Sequence, residues 1–175
     1  VAGRLDPELG GSPALLDLVG PNYYPQNQWV LDGGAVPLGH HLYRPFADLI
    51  ADAHRRYGRP MLVAETGAEG SARAPWLHYV CQEVAEARDR GLPVEGICLY
   101  PVTDYPGWDD GRICPTGLFA MADDSGNRAV HRPLWQELVR QQALLAPATS
   151  ASRPSASSAA SAAGSAPASA FPRPS

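Results

Sequence analysis

The chain has 175 residues and a formal net charge of -4; all of its 14 basic residues are arginine, and none forms a stripe interleaved with aromatics. That balance argues against a nucleic-acid partner, and with no run of the ~18 apolar residues a membrane span needs, no membrane partner is expected either. From about Ala146 to Ser175 the sequence is almost entirely Ala, Ser and Pro, too poor in apolar surface to offset its ordering entropy, so residues 146–175 read as a disordered tail. Residues 1–145 remain to fold, well short of the ~250 of a complete β/α barrel.

Three short apolar runs organise that region: Leu15 to Gly20 (L-L-D-L-V-G), Met61 to Ala64 (M-L-V-A) and Gly96 to Tyr100 (G-I-C-L-Y). Continuous runs of this length suit strands buried on both faces of a parallel sheet. After the first, Pro45 opens a helical pattern carrying Phe46, Leu49, Ile50, Ala53 and Tyr57, and Gly58 with Pro60 closes it. After the second, Pro75 opens a segment that sets Trp76, Val80 and Val84 on one face and ends at Gly91. After the third, Pro133 opens a last helix with Leu134, Leu138 and Leu145. The order β-α-β-α-β-α with short connections predicts parallel strands and right-handed crossovers.

Cys81, Cys98 and Cys114 are odd in number and lack metal-ligand spacing, so they read as buried free thiols, not as a zinc site or disulfide framework. Free thiols and the lack of a visible signal segment favour the cytoplasm, while a start at Val1 instead of Met says nothing about export. His40 and His41 sit in a Gly- and Pro-rich loop without partners at metal spacing. No cofactor is implied.

In a β/α barrel the chemistry lies at the C-terminal ends of the strands. Those positions carry Asn22, Tyr23, Tyr24 and Gln26 to Trp29, then Glu65, Thr66 and Gly67, then Tyr100, Asp104, Tyr105, Trp108 and Asp109. A carboxylate among tyrosines, tryptophans and amides suits a sugar: rings cover the apolar faces of a pyranose while amides and carboxylates bond its hydroxyls. Asn22 equally suits a turn, Tyr24 equally suits the core, and Glu8 equally suits a loop. Glu69 reads as a helix-start residue favoured by the helix dipole, and Trp76 and Trp135 as packing residues.

At these positions the chain resembles glycoside hydrolase family 1 and related retaining (β/α)8-barrel β-glycosidases. D-L-V-G-P-N-Y-Y from Asp17 to Tyr24 is similar to that family's sixth-strand pattern, and P-M-L-V-A-E-T-G from Pro60 to Gly67 to its seventh. G-I-C-L-Y-P-V-T-D-Y-P-G-W from Gly96 to Trp108 is similar to the eighth, and G-L-F-A-M-A-D from Gly117 to Asp123 to the closing strand. No single motif is decisive; the ordered set carries the resemblance.

The resemblance implies an α/β fold, a (β/α)8 barrel of which this chain supplies about the last three units, and a carbohydrate substrate. It implies Glu65 as the nucleophile of a retaining β-glycosidase, with Tyr23 beside it holding the carboxylate oriented. Asn22, Tyr24, Trp29, Tyr100, Asp104, Trp108 and Asp109 would contact substrate, Trp108 by stacking and Asp104 by buttressing its loop. The family's acid/base carboxylate ends the fourth strand in an N-E-P motif that is absent here, so it is expected in the remaining N-terminal part of the same barrel. Two departures stand out: Thr66 precedes Gly67 where the family has Asn-Gly after its nucleophile, and Gly107 stands where it has an acidic residue before Trp108. Asp109 and Asp110 could replace that acid or simply be solvated.

The rival reading is a carbohydrate-binding pseudoenzyme, discriminated by the presence or absence of the upstream carboxyl. An aldolase or isomerase would ordinarily need a Schiff-base lysine, a metal cluster or a phosphate loop, and the chain has no lysine.

Overall fold

The computed structural model describes residues 5–146. The predicted disordered tail, Ala146 apart, lies outside the described residues.

The first apolar run is only partly a strand. Pro13 starts a single 3-10 turn, Pro13–Leu15, capped by the Ser12 hydroxyl, which accepts from the Ala14 N–H at 3.2 Å. Pro21 has no N–H to give to a ladder. What remains is extended backbone that meets the next strand at four bonds. Val19 donates to the Pro60 carbonyl, Leu62 to Val19 and Ala64 to Pro21, each at 3.0 Å, and Tyr23 donates to Glu65 at 2.9 Å. The bridges at Val19–Met61 and Asn22–Glu65 are parallel.

The helices follow their punctuation. Helix α1 (Phe46–Tyr57) begins directly after Pro45 and ends at Gly58, whose φ of 61° is the left-handed closure that glycine adopts without a Cβ penalty. Helix α2 (Arg73–Asp89) starts two residues before Pro75, which is tolerated there because first-turn N–H groups have no intrahelical partner. Helix α3 (Arg132–Leu145) has Pro133 in its first turn, and the His131 ring accepts from the Leu134 N–H at 3.3 Å.

Strands β1 (Met61–Thr66) and β2 (Val94–Leu99) pair in parallel, so with the Val19–Tyr23 segment three neighbouring extended stretches run the same way. A short antiparallel hairpin, β3 (Tyr105–Pro106) and β4 (Ile113–Cys114), follows at the end of the sheet.

Helices α1 and α2 cover one face of the sheet through Tyr23, Phe46, Ile50, Met61, Val63, Trp76, Val80 and Val84. A second cluster of Leu77, Cys81, Leu118 and Leu134 ties α2, β2 and α3 together, with Ile97 and Leu99 against it. Full burial of side chains this size contributes roughly 1.5–3 kcal/mol each, which makes these two clusters the main source of stability. The opposite face is open: Asn22, Cys98 and Tyr100 are exposed there. The expectation of three buried thiols is corrected accordingly. Cys81 and Cys114 are buried and Cys98 is not, and burial pushes the Cys81 thiol up to about 12.

Candidate active site

Glu65 owes its orientation to an irregularity in β1. Met61 and Val63 point to the helices, and strict alternation would send Glu65 the same way. Val63 pairs with Ile97 and Thr66 with Leu99, three residues against two, so β1 carries one extra residue just before its end. This bulge makes the fully buried Thr66 the next helix-facing side chain and turns Glu65 to the open face. Thr66 is fixed by two bonds: its hydroxyl donates to the Tyr23 carbonyl at 2.7 Å and accepts from the Trp76 indole N–H at 2.9 Å. The nucleophile candidate thus follows a bulge and precedes a buried anchor.

The phenol that meets Glu65 is Tyr24, which donates to Oε2 at 2.8 Å. Burial, followed by the bond to Glu65, raises the Tyr24 pKa well above its ordinary value, so the phenol stays a donor. The expected neighbour, Tyr23, is elsewhere. Only 4% exposed, it stacks on Phe46 with ring centroids 3.9 Å apart. Its hydroxyl bonds to Tyr43 at 2.7 Å and accepts from Gln28 Nε2 at 2.9 Å, and Tyr43 continues the chain to Tyr79 at 2.9 Å. The placement of Tyr23 beside Glu65 is therefore corrected: alternation from the core-facing Val19 puts position 23 on the helix side and position 24 on the open side. Asn22, exposed, shares that open side and bridges Glu65 through its backbone.

At the strand ends lies a cleft of about 510 Å³, within the usual size for a small-molecule site. Tyr24 and Gln26 line it from the first segment, Gly67, Ala68 and Glu69 from the turn after β1, Tyr100 and Tyr105 from the end of β2 and β3, and Arg112, Cys114 and Thr116 from β4 and the turns flanking it. Gly67 is required by a close approach: a Cβ there would lie 2.1 Å from the Tyr100 carbonyl oxygen. The wall between β1 and β2 is therefore bare backbone at Gly67.

The remaining predicted contacts divide. Tyr100 lines the cleft. Asp104 does not; its carboxylate accepts from the Gly117 N–H at 2.7 Å and lies 3.7 Å from Arg73, whose Nη1 donates to the Gly117 carbonyl at 2.7 Å. That is the loop-buttressing role, not a substrate contact. Trp108 sits in the β3–β4 turn, 90% exposed and outside the cleft wall, and Asp109 beside it is exposed as well. Trp29 lines a separate groove with Val36, Leu42 and Leu49. Sequence reading missed two cleft residues, Glu69 and Arg112, which form an ion pair across it. The pairing joins the turn after β1 to the β3–β4 turn, and no sequence spacing announces a contact across 43 residues.

Among the described residues no group of three His, Cys, Asp or Glu side chains is placed to hold a metal, and no helix is long and apolar enough to cross a membrane.

No protein-family model matches the sequence, and no curated protein matches it. Solved structures do. The β-glycosidase of the hyperthermophile Thermosphaera aggregans is 21% identical with a TM-score of 0.54, over 71% of this chain and 32% of that one. The family 1 β-glucosidase of Thermotoga maritima is 16% identical with a TM-score of 0.53, over 70% of this chain and 34% of that one. The same enzyme in complex with glucoimidazole is 17% identical with a TM-score of 0.54, over 71% and 34%. At these identities the likeness is one of fold. This chain is similar to part of the (β/α)8 barrel of β-glucosidases, closes no barrel among its described residues, and spans about a third of the length of the structures it matches.

Proposed function

We propose that this chain carries the nucleophile half of a retaining β-glycosidase site, with Glu65 as the nucleophile. The observation that carries the reading is the bond from the Tyr24 hydroxyl to Glu65 Oε2, made at the C-terminal ends of parallel strands beside an open cleft lined by tyrosines. Glu65 attacks the anomeric carbon and forms a glycosyl ester, and water then cleaves it. Tyr24 donates to the oxygen that does not attack and keeps the carboxylate in line. The second carboxyl, which protonates the leaving oxygen, is needed about 5 Å away. Glu69 is engaged by Arg112, so the acid/base comes from the remainder of the barrel, which is the partner this chain requires. A carbohydrate substrate accords with the neighbours, since the Thermotoga maritima enzyme has been solved with glucoimidazole and with deoxynojirimycin.

The test is Glu65→Gln in the intact protein. Turnover of aryl β-glycosides falls by on the order of 10³-fold or more, with fold and sugar binding retained. In Glu65→Gly, azide restores turnover and yields a glycosyl azide of inverted configuration. An intact wild-type protein that binds sugars yet turns over none of them would replace this reading with the binding pseudoenzyme.

A further inference from the structure

Resting on the sugar-cleft reading, we infer that the Glu69–Arg112 pair is the hydroxyl-recognising element of the cleft, a clamp for the vicinal diol of a neutral sugar. Both residues line the cleft that Tyr24, Tyr100 and Tyr105 surround. One guanidinium nitrogen bonds Glu69 Oε1, and the second lies 3.5 Å from Oε2. Each partner keeps capacity beyond that pairing. A guanidinium has five N–H donors and a carboxylate about four acceptor sites; the two contacts use part of them, and roughly half of each side chain remains solvent-exposed. A sugar hydroxyl is both donor and acceptor. Two adjacent hydroxyls can therefore satisfy the pair at once, one accepting from Arg112 and the other donating to Glu69.

Charge decides the ligand class. Arg112 is the one cation and Glu69 the one anion among the lining residues, and Asp110 adds a second carboxylate 3.9 Å from the Arg112 Nε. No uncompensated positive charge faces the cleft, so a uronate or a sugar phosphate gains nothing over a neutral sugar. The hairpin carries no acid at position 107. Gly107 replaces the acid found in the resembling family, and any Cβ at 107 would lie 2.8 Å from Asp110 Oδ1 and 3.3 Å from the Arg112 carbonyl. Of the hairpin residues that line the cleft, Tyr105, Arg112 and Cys114, Arg112 is the charged one.

The experiment measures binding, not turnover, in the intact protein, by calorimetric titration with glucose, galactose and mannose and with glucuronate and galacturonate. Wild type is expected to bind at least one neutral sugar and to bind its uronate no more tightly. Glu69→Gln, at an exposed position, is expected to lose about tenfold or more in neutral-sugar affinity, the worth of one charge-assisted hydrogen bond. The double variant Glu69→Gln/Asp110→Asn should also reverse the preference towards the uronate, because both carboxylates that compensate Arg112 are then gone. Arg112→Gln should weaken neutral-sugar binding as much and should not gain uronate binding. An ion pair that only holds the hairpin in place would move the melting temperature and leave the neutral-to-uronate ratio unchanged, and that result overturns the proposal while the glycosidase reading stands. If wild type binds none of the five sugars, the sugar-cleft reading itself fails and the clamp with it.

Discussion

Under the proposed function, two adjacent tyrosines have separate tasks, Tyr23 in stability and Tyr24 in turnover, and replacing each by phenylalanine in the intact protein tests the separation. Tyr24→Phe removes one hydroxyl that donates to Glu65 at 2.8 Å. A hydrogen bond to a charged group contributes about 1.5–3 kcal/mol, and each 1.36 kcal/mol is tenfold in rate. Turnover of an aryl β-glycoside should therefore fall roughly 10- to 150-fold. The melting temperature should fall less than in Tyr23→Phe, since Tyr24 is only part-buried and its hydroxyl serves one side-chain partner where that of Tyr23 serves two. Tyr23→Phe keeps the 3.9 Å stack on Phe46 but strips the hydroxyl that serves Tyr43 and Gln28. Those part-buried groups lose a partner at about 1–3 kcal/mol, and the melting temperature should fall by several degrees with kcat close to wild type. Steady-state kinetics and a thermal melt on each variant give the four numbers. A Tyr23→Phe protein that melts normally but has lost its rate, beside a Tyr24→Phe protein of normal rate, would refute the assignment.

Thr66→Val, nearly isosteric, leaves the Trp76 indole N–H and the Tyr23 carbonyl without their 2.9 and 2.7 Å partner; a loss of roughly 2–4 kcal/mol in urea denaturation is expected from the cost of buried unpaired groups, and a change under 0.5 kcal/mol would mean the anchor is not formed. Gly67→Ala drives a Cβ to 2.1 Å from the Tyr100 carbonyl and should cost about 1–3 kcal/mol or more with loss of sugar binding; unchanged binding and stability would show that the two strand ends are not in contact. Burial, and then the nearby Arg73, hold the His131 pKa below its ordinary 6.5. Its neutral ring caps α3, so that contribution is full above about pH 6.5 and is lost as pH falls through the lowered value. The urea midpoint should decline over that window in wild type and decline less in His131→Asn, which keeps an N-cap acceptor; equal slopes would contradict the cap.

The elements were legible because their boundaries are chemical. Pro45, Gly58, Gly91 and Pro133 mark helix limits that the structure keeps to within a few residues. The first run was overestimated as a strand because apolar content does not register the missing N–H of Pro21. Of the candidate site, the placement of Glu65 at the end of a parallel strand was legible, and the side chains around it less so. Period-two alternation from Val19 would have separated Tyr23 from Tyr24. No local pattern announces the bulge that turns Glu65 outward, since it is an offset between β1 and β2 and not a property of either. Trp108 looked like a stacking residue by its composition and context, yet its turn carries it into solvent. Glu69 and Arg112 meet only because the β3–β4 hairpin folds over the end of β1.

The proposed function stands or falls on a covalent bond between Glu65 and a sugar. Incubating the intact protein with an activated 2-deoxy-2-fluoro-β-glucoside, which forms the glycosyl ester quickly and releases it slowly, allows the adduct to be digested and located by mass spectrometry. One sugar per chain is expected, on the tryptic peptide from Tyr57 to Arg73 and on Glu65 within it, with no adduct in Glu65→Gln. An adduct on Glu69, or one that survives in Glu65→Gln, would contradict it.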